Sequence, residues 1–357
     1  MKNKPLTIYI LILLTIVFSY SCQDNNREKV ISEFPVKIEL KGSKPQFDNE
    51  SGIHLSKIKI LDSLIIVSDS YGNAGDDYIH IFKKYTYESV LSVGKRGKGP
   101  KELTNPIRFL INRKKNCLWV FDLGKRKIWE YNIDSLINQP DYKPHTHMNI
   151  GAEMGMVYEL TNWGDTIVMG DGKGNSLVKF AYDGGKTIKD YGTEHVKKGN
   201  KSERVYSKTL RKKMCVNEEY NRLILGYRYY NRLSVLNNKG ELLWSMTGKD
   251  NFKPRFKGLS PTDSKVAYFS TVSFDNYILG LHSGKKIGEF ERGKLNPNYA
   301  ESIHVFSLEG EVLGKLNLDR EIYTMALDKE NKKIIGFEPD EDNPFVIYDI
   351  PFDKLKN

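Results

Sequence analysis

Six copies of one pattern, a strand, a short polar break and a second strand, run almost the length of this chain. They are Leu64-Ile-Ile-Val-Ser-Asp69 with Tyr78-Ile-His-Ile-Phe82, Leu118-Trp-Val-Phe-Asp122 with Ile128-Trp-Glu-Tyr131, and Thr166-Ile-Val-Met169 with Leu177-Val-Lys-Phe180. Further on come Leu223-Ile-Leu-Gly-Tyr227 with Arg232-Leu-Ser-Val-Leu236, Tyr277-Ile-Leu-Gly-Leu281 with Ile303-His-Val-Phe306, and Ile334-Ile-Gly-Phe337 with Phe345-Val-Ile-Tyr348. Their first strands begin at 64, 118, 166, 223, 277 and 334, in steps of 54, 48, 57, 54 and 57 residues. So regular a period restricts the architecture to a propeller or a solenoid, because each unit can bury its apolar face only against the next one.

Each unit reads as four strands. Blade two has them at 106–111, 117–122, 127–133 and near 142–150, and blade three at 155–160, 165–170, 176–182 and 186–191, with Asp183-Gly184-Gly185 as a hairpin turn. The pattern predicts an all-β, six-bladed β-propeller of four-stranded blades over residues 34–357. The 21 tyrosines and 16 phenylalanines suit such pleated, half-buried surfaces. Two β-sandwich domains are the alternative, but they do not require a constant period. Phe34-Pro-Val-Lys-Ile-Glu-Leu40 alternates apolar and polar and stands apart from the six copies, while blade six runs out of chain before a fourth strand. The N-terminal strand is therefore expected to fill that gap and close the ring, removing an open sheet edge.

Residues 1–21 carry Lys2 and Lys4 ahead of an apolar run from Leu6 to Phe18, the pattern of an export signal and too short for a spanning helix. Cys22 follows, then polar residues, so that 22–33 read as a tether. The Ser19-Tyr20-Ser21-Cys22 stretch resembles a relaxed lipobox of bacterial lipoproteins. That resemblance implies a fatty-acyl anchor such as palmitate on Cys22, and Gln23 after it resembles the outer-membrane sorting class, on the periplasmic side rather than the cell surface. Only Cys117 and Cys215 remain, so no disulfide framework holds the fold. Their apolar neighbours suggest core thiols, with a single bridge or a reactive nucleophile as alternatives.

The formal charge of +10 falls to +8 once Lys2 and Lys4 leave with the signal. An exported chain of this kind is not expected to meet nucleic acid, so the basic turns point to solvation, anionic lipid headgroups or anionic glycans.

Blade one ends in Leu91-Ser-Val-Gly-Lys-Arg-Gly-Lys-Gly-Pro-Lys-Glu-Leu103. Its glycines lack the Gly-Lys-Ser/Thr ending of a phosphate loop and do not open a helix, so a tight blade connection is expected. A strand running into Gly-x-x-Gly-x-Gly-Pro-x-Glu-Leu resembles the blade junctions of NHL and TolB-like propellers. With the signal and Cys22, residues 34–350 resemble the TolB-like six-bladed propeller lipoproteins of Bacteroidetes. The resemblance implies fold and envelope location, not a reaction, since folds do not fix function.

Constellations that carry chemistry are few. His145-Thr-His147 has a metal-like spacing but no third ligand in the neighbouring sequence, and no Gly-x-Ser-x-Gly elbow occurs, so no catalytic, metal or cofactor residues are assigned. The turns at Asp62-Ser63, Asp134-Ser135 and Asp165-Thr166 resemble the acceptor of Bacteroidetes O-glycosylation, although Asx-turn chemistry accounts for them equally. Topology supplies the candidate ligand site. The second strands end in Asp69, Asp122, Asp171, Arg228, His282 and Glu338, expected to ring the channel mouth, with Arg96 and Lys98 from the blade junction on its rim. These residues predict a lipid-anchored envelope module that binds or scaffolds a protein or an anionic ligand. A propeller hydrolase or lyase using mouth carboxylates and His282 is the alternative.

Overall fold

The structure is a computed structural model that describes residues 27–46, 55–69, 72–139, 141–151, 157, 159–170, 176–193, 201–250, 252, 254, 257, 264–287, 299–338, 341 and 343–355. Six antiparallel sheets follow one another around an axis, each starting with its innermost strand. Those six strands are Leu55–Leu61, Pro106–Asn112, Glu159–Trp163, Lys212–Asn217, Tyr268–Phe274 and Thr324–Asp328. The expected propeller of six blades is the fold observed. Its second strands are apolar without alternation, and Cys117–Asp122 is buried at every position, because neighbouring blades cover both faces of the sheet.

The hydrophobic core falls into six clusters, one per blade interface. Ile66 and Ile81 of blade one pack with Phe109 and Val120 of blade two, and so on round to Ile65, Val67 and Phe82 of blade one against Ile335, Phe337 and Phe345 of blade six. Successive residues of one strand thus serve opposite neighbours, which is the two-residue side-chain period at work. The hairpin from first to second strand repeats as closely. Asp62, Asn116, Gly164, Asn221, Asp275 and Lys332 all take φ of 45–53° there, one left-handed residue per blade.

The N-terminal segment closes the ring by a path that the alternation alone did not disclose. Residues 34–40 were expected as the fourth strand of blade six. Instead Glu28–Ile31 adds in parallel to the outer strand of blade four, and Lys37–Leu40 adds in parallel to Val312–Ile322 of blade five. Blade six is reached without a strand: Ser43 makes two 2.9 Å backbone hydrogen bonds with Ile347, and Lys44 and Pro45 continue the contact at Glu338 and Asn343. The physical reason is the length of the blade-five outer strand, whose edge takes four residues in register while Leu40 joins Leu316 and Leu355 in the core. Gly42 permits the approach to blade six, since a Cβ there would stand 2.3 Å from Val346.

The glycine-rich junction after blade one is structural, as expected. Glu102 folds back so that its carboxylate accepts the Gly99 N–H at 2.7 Å, and Lys125 donates to the Gly99 and Glu102 carbonyls at 2.6 and 2.7 Å. A Cβ at Gly97 would stand 2.0 Å from the Glu102 carboxylate. Two short helices were not foreseen. Ile133–Asn138 is capped by Asn132, and Glu203–Thr209 by Ser202, inside what read as loop.

Candidate functional site

The channel is walled by the innermost strands, and four of them place a charged residue at one level. Glu159 of blade three accepts from Arg108 Nε of blade two at 3.1 Å and lies 3.3 Å from Lys57 Nζ of blade one and 3.0 Å from Lys213 Nζ of blade four. Its side chain is 7% exposed. Burial opposes the charge on Glu159, but Arg108, Lys213 and Lys57 outweigh it and hold the carboxyl well below the usual range. Burial pushes Lys213 well below the ordinary lysine value and lowers Lys57 too; the neighbouring cations add to this and Glu159 opposes it. Three basic groups therefore share one carboxylate, and of the three only Arg108 has its charged form favoured there. Among the described residues blades five and six add neutral groups at this level, Phe269, Tyr323 and Thr324.

This ion knot divides the channel. A cavity of about 280 Å³ lies on the blade-junction side, lined by Ser56, Lys57, Asn105, Arg108, Lys213, Arg228, Phe269 and Tyr323 among others. The Arg228 guanidinium sits 4.6 Å over the Phe269 ring. A second cavity of about 420 Å³ lies on the opposite side and shares Lys57, Lys213 and Thr324 with the first. With up to four cations facing one anion, the junction-side chamber can bind a negatively charged group.

Of the second-strand ends expected at the mouth, Arg228 alone among the described residues lines this chamber. Asp122 is fully buried and accepts backbone N–H groups from Thr104, Asn105, Gly124 and Lys125 at 2.8–3.2 Å, so it fastens the junction into blade two. Asp69 accepts from the Gly72 N–H, and the Arg96 guanidinium donates to the Asp69 carbonyl while lying over Tyr78. His282 is stacked on His304 at 4.1 Å inside blade five, and burial pushes its imidazole down to about 3. Glu338 pairs with Lys44 at 2.5 Å and lies 3.5 Å from Arg320, near the blade five–six boundary. Lys98 is exposed on the junction, and Asp171 and Cys22 lie outside the described residues. Ends of second strands sit one strand away from the axis, where Asp69 and Asp122 meet turn backbone instead of the channel.

The residues that do converge, Lys57, Arg108, Glu159 and Lys213, carried a signal of their own. Each is a charged residue within an otherwise strand-like first segment, as in Leu55-Ser-Lys-Ile-Lys-Ile-Leu61. His145 and His147 meet Glu130 at 3.3 Å each, and Trp119 Nε1 donates to the same carboxylate at 2.7 Å. Among the described residues no three His, Cys, Asp or Glu side chains form a group able to hold a metal ion. Of the possible glycosylation positions Ser63 is exposed, and Ser135 and Thr166 are half-buried. Both cysteines are free thiols pushed up to about 12, chiefly by burial, which makes them poor nucleophiles.

Among solved structures the chain is similar to a DUF4221-family protein from Bacteroides vulgatus, at 12% identity and a TM-score of 0.56 over 87% of this chain and 97% of that one. It is also similar to a candidate exported protein from Bacteroides fragilis, at 12% identity and a TM-score of 0.57 over 90% and 98%. At such identity the likeness establishes the shared fold. No curated protein matches the sequence significantly. A sequence profile described as TolB-like 6-blade propeller-like matches residues 56–330, from the first strand of blade one to the first hairpin of blade six. The chain belongs to that TolB-like six-bladed propeller family.

Proposed function

We propose that this protein is a binding module that takes an anionic ligand, such as the acidic end of a glycan, into the junction-side chamber of its channel. The observation that carries the reading is the excess of basic groups there: Lys57, Arg108, Lys213 and Arg228 against the single carboxylate of Glu159. Guanidinium and ammonium groups held in a narrow, low-dielectric channel attract anions more strongly than the same groups on a surface. Ser56, Asn105 and Thr324 add polar groups to the lining, and Phe269 and Tyr323 add aromatic faces suited to a sugar ring. The alternative of acid–base chemistry at the mouth has less support. Glu159 is held anionic by three cations and His282 is turned into the core, so neither is placed to exchange a proton with a substrate.

Calorimetric titration with sulfate, and with galacturonate as an acidic sugar, tests the reading. Arg108→Gln is expected to weaken both at least tenfold, about 1.4 kcal/mol, with affinity falling as salt rises. Wild-type affinity in Arg108→Gln, or no binding by either probe, would exclude the chamber as the site.

We further propose that the module is a lipoprotein of the cell envelope, anchored through Cys22, outer-membrane sorted and facing the periplasm. Lys2, Lys4, the Leu6–Phe18 run and the position of Cys22 support this, as does the exported neighbour from Bacteroides fragilis. A Cys22→Ala form is expected to incorporate no palmitate label and to leave the membrane fraction. Retention in that fraction without label would refute the anchor.

A further inference from the structure

The larger chamber, on the face opposite the blade junctions, lies beyond the proposed anion site and, apart from the shared Lys57, Lys213 and Thr324, has a different lining. Lys59 stands two residues after Lys57 on the innermost strand of blade one, hence on the same side of that strand one step further from the junction. Unlike that of Lys57, its side-chain amine makes no hydrogen bond or ion pair among the described residues. Around it Ile111, Val216 and Val272 line the chamber while only half-buried, and Thr271 and Ser273 add hydroxyls. The chamber is thus amphipathic, with one amine lacking a counter-ion at its inner end.

We propose that this opposite-face chamber is a second ligand site, in which Lys59 takes the carboxylate of a small amphipathic monoanion whose apolar part lies against Val216 and Val272. One ammonium is a single-point donor, suited to a monocarboxylate; a phosphate dianion is better matched by several donors or a guanidinium fork. The volume of about 420 Å³ falls within the range of small-molecule sites.

The charge state of Lys59 makes the site measurable. Burial pushes its amine down to about 8, and Lys57 adds to this, with Arg113 contributing less; Glu159 and the Cys215 thiol act in the opposite direction. Lys213, Glu218 and Glu219 of blade four and Lys329 of blade six also line the chamber, whereas blade five brings only Ser270, Thr271, Val272 and Ser273. Arg113 is already engaged with the Ile60 carbonyl and Asp62, and Glu218 with the Gly164 N–H. A carboxylate arriving at Lys59 supplies the missing negative charge and raises the amine pKa. Binding at pH 8 therefore takes up close to half a proton, since a group is about half-protonated at its own pKa.

The test is calorimetric titration of the full mature chain with hexanoate at pH 8 in two buffers of different ionisation enthalpy. Binding with net proton uptake is expected, and acetate should bind more weakly for want of an apolar part. Lys59→Met keeps the aliphatic stem and removes the charge; it should weaken hexanoate at least tenfold, abolish the uptake and leave sulfate binding unchanged. Arg108→Gln should do the reverse, which separates failure of this site from failure of the junction-side one. Absence of hexanoate binding, binding without proton uptake in the wild-type chain, or loss of hexanoate in Arg108→Gln but not in Lys59→Met would overturn the proposal. Equal affinity for acetate and hexanoate would overturn the apolar half of it.

Discussion

Replacing Glu159 by Gln is expected to destabilise the propeller by about 3–5 kcal/mol, the scale found when one partner of a buried ion pair is removed and the other charge is left uncompensated. Here three groups are stranded at once, Lys57, Arg108 and Lys213, all within 3.3 Å of the lost charge. The same change should improve the junction-side chamber as an anion site, because an incoming anion no longer competes with Glu159. The loss should accordingly be reversible by ligand. In urea unfolding, sulfate in place of chloride at matched ionic strength should restore most of the variant's stability, about 2.7 kcal/mol at a hundredfold excess over Kd, and stabilise the wild type, where Glu159 competes, by less. A loss below about 1 kcal/mol, or one that sulfate leaves untouched, would show that the knot is not an electrostatic unit.

The pH dependence has a defined sign. The Glu159 carboxyl is lowered on folding, so its contribution is fully present above the unfolded value near 4.5 and disappears only as pH falls through the much lower folded value. Acid unfolding of the wild type should extend well below pH 4, and Glu159→Gln should lose that dependence.

Much of the architecture was legible because propeller blades are built from local hairpins with a strict two-residue period. The strand runs at 64–69, 117–122, 176–182 and 222–227 announce themselves through apolar density bounded by turn residues. The path of the N-terminal segment was not legible, since an edge strand such as Lys37–Leu40 can pair with any open edge and its alternation does not say which. Helix Glu203–Thr209 was hidden for another reason: at seven residues it is stabilised by its Ser202 cap and by burial of Tyr206, not by a periodic face. The candidate site was misplaced by one strand. Asp122 at a strand end looks like a ligand from its type and position, yet two of its four backbone partners, Thr104 and Asn105, come from a junction whose fold the sequence does not spell out. Lys57 and Arg108 were visible as charges inside apolar strands, but which innermost strands stand at the same level follows only from the closed ring.

Blades six and one share no strand among the described residues and bring together the last and first repeats of the ring, and a single substitution at this seam should act selectively. Lys84, just past the third strand of blade one, is 3% exposed and lies 3.2 Å from Asp328 and 2.8 Å from Glu330 of blade six. Tyr85 donates to the same Glu330 carboxylate at 2.8 Å, and the Lys84 N–H holds the Ser63 carbonyl at 2.7 Å. Lys84→Met preserves the stem but leaves the buried Asp328 carboxylate with Asn331 as its hydrogen-bond donor. A loss of about 3–5 kcal/mol is expected, whereas breaking the exposed Lys83–Glu88 pair nearby should change stability by less than about 1 kcal/mol. Adding Asp328→Leu to Lys84→Met should recover much of the loss, because an apolar pair can replace a buried ion pair with little net change. Hydrogen exchange decides whether the seam is what opens. Protection should fall first in Leu55–Leu61 and Thr324–Asp328, the innermost strands that meet there, while blades three and four keep theirs. Uniform loss of protection around the ring would mean that Lys84 supports global stability and not the seam.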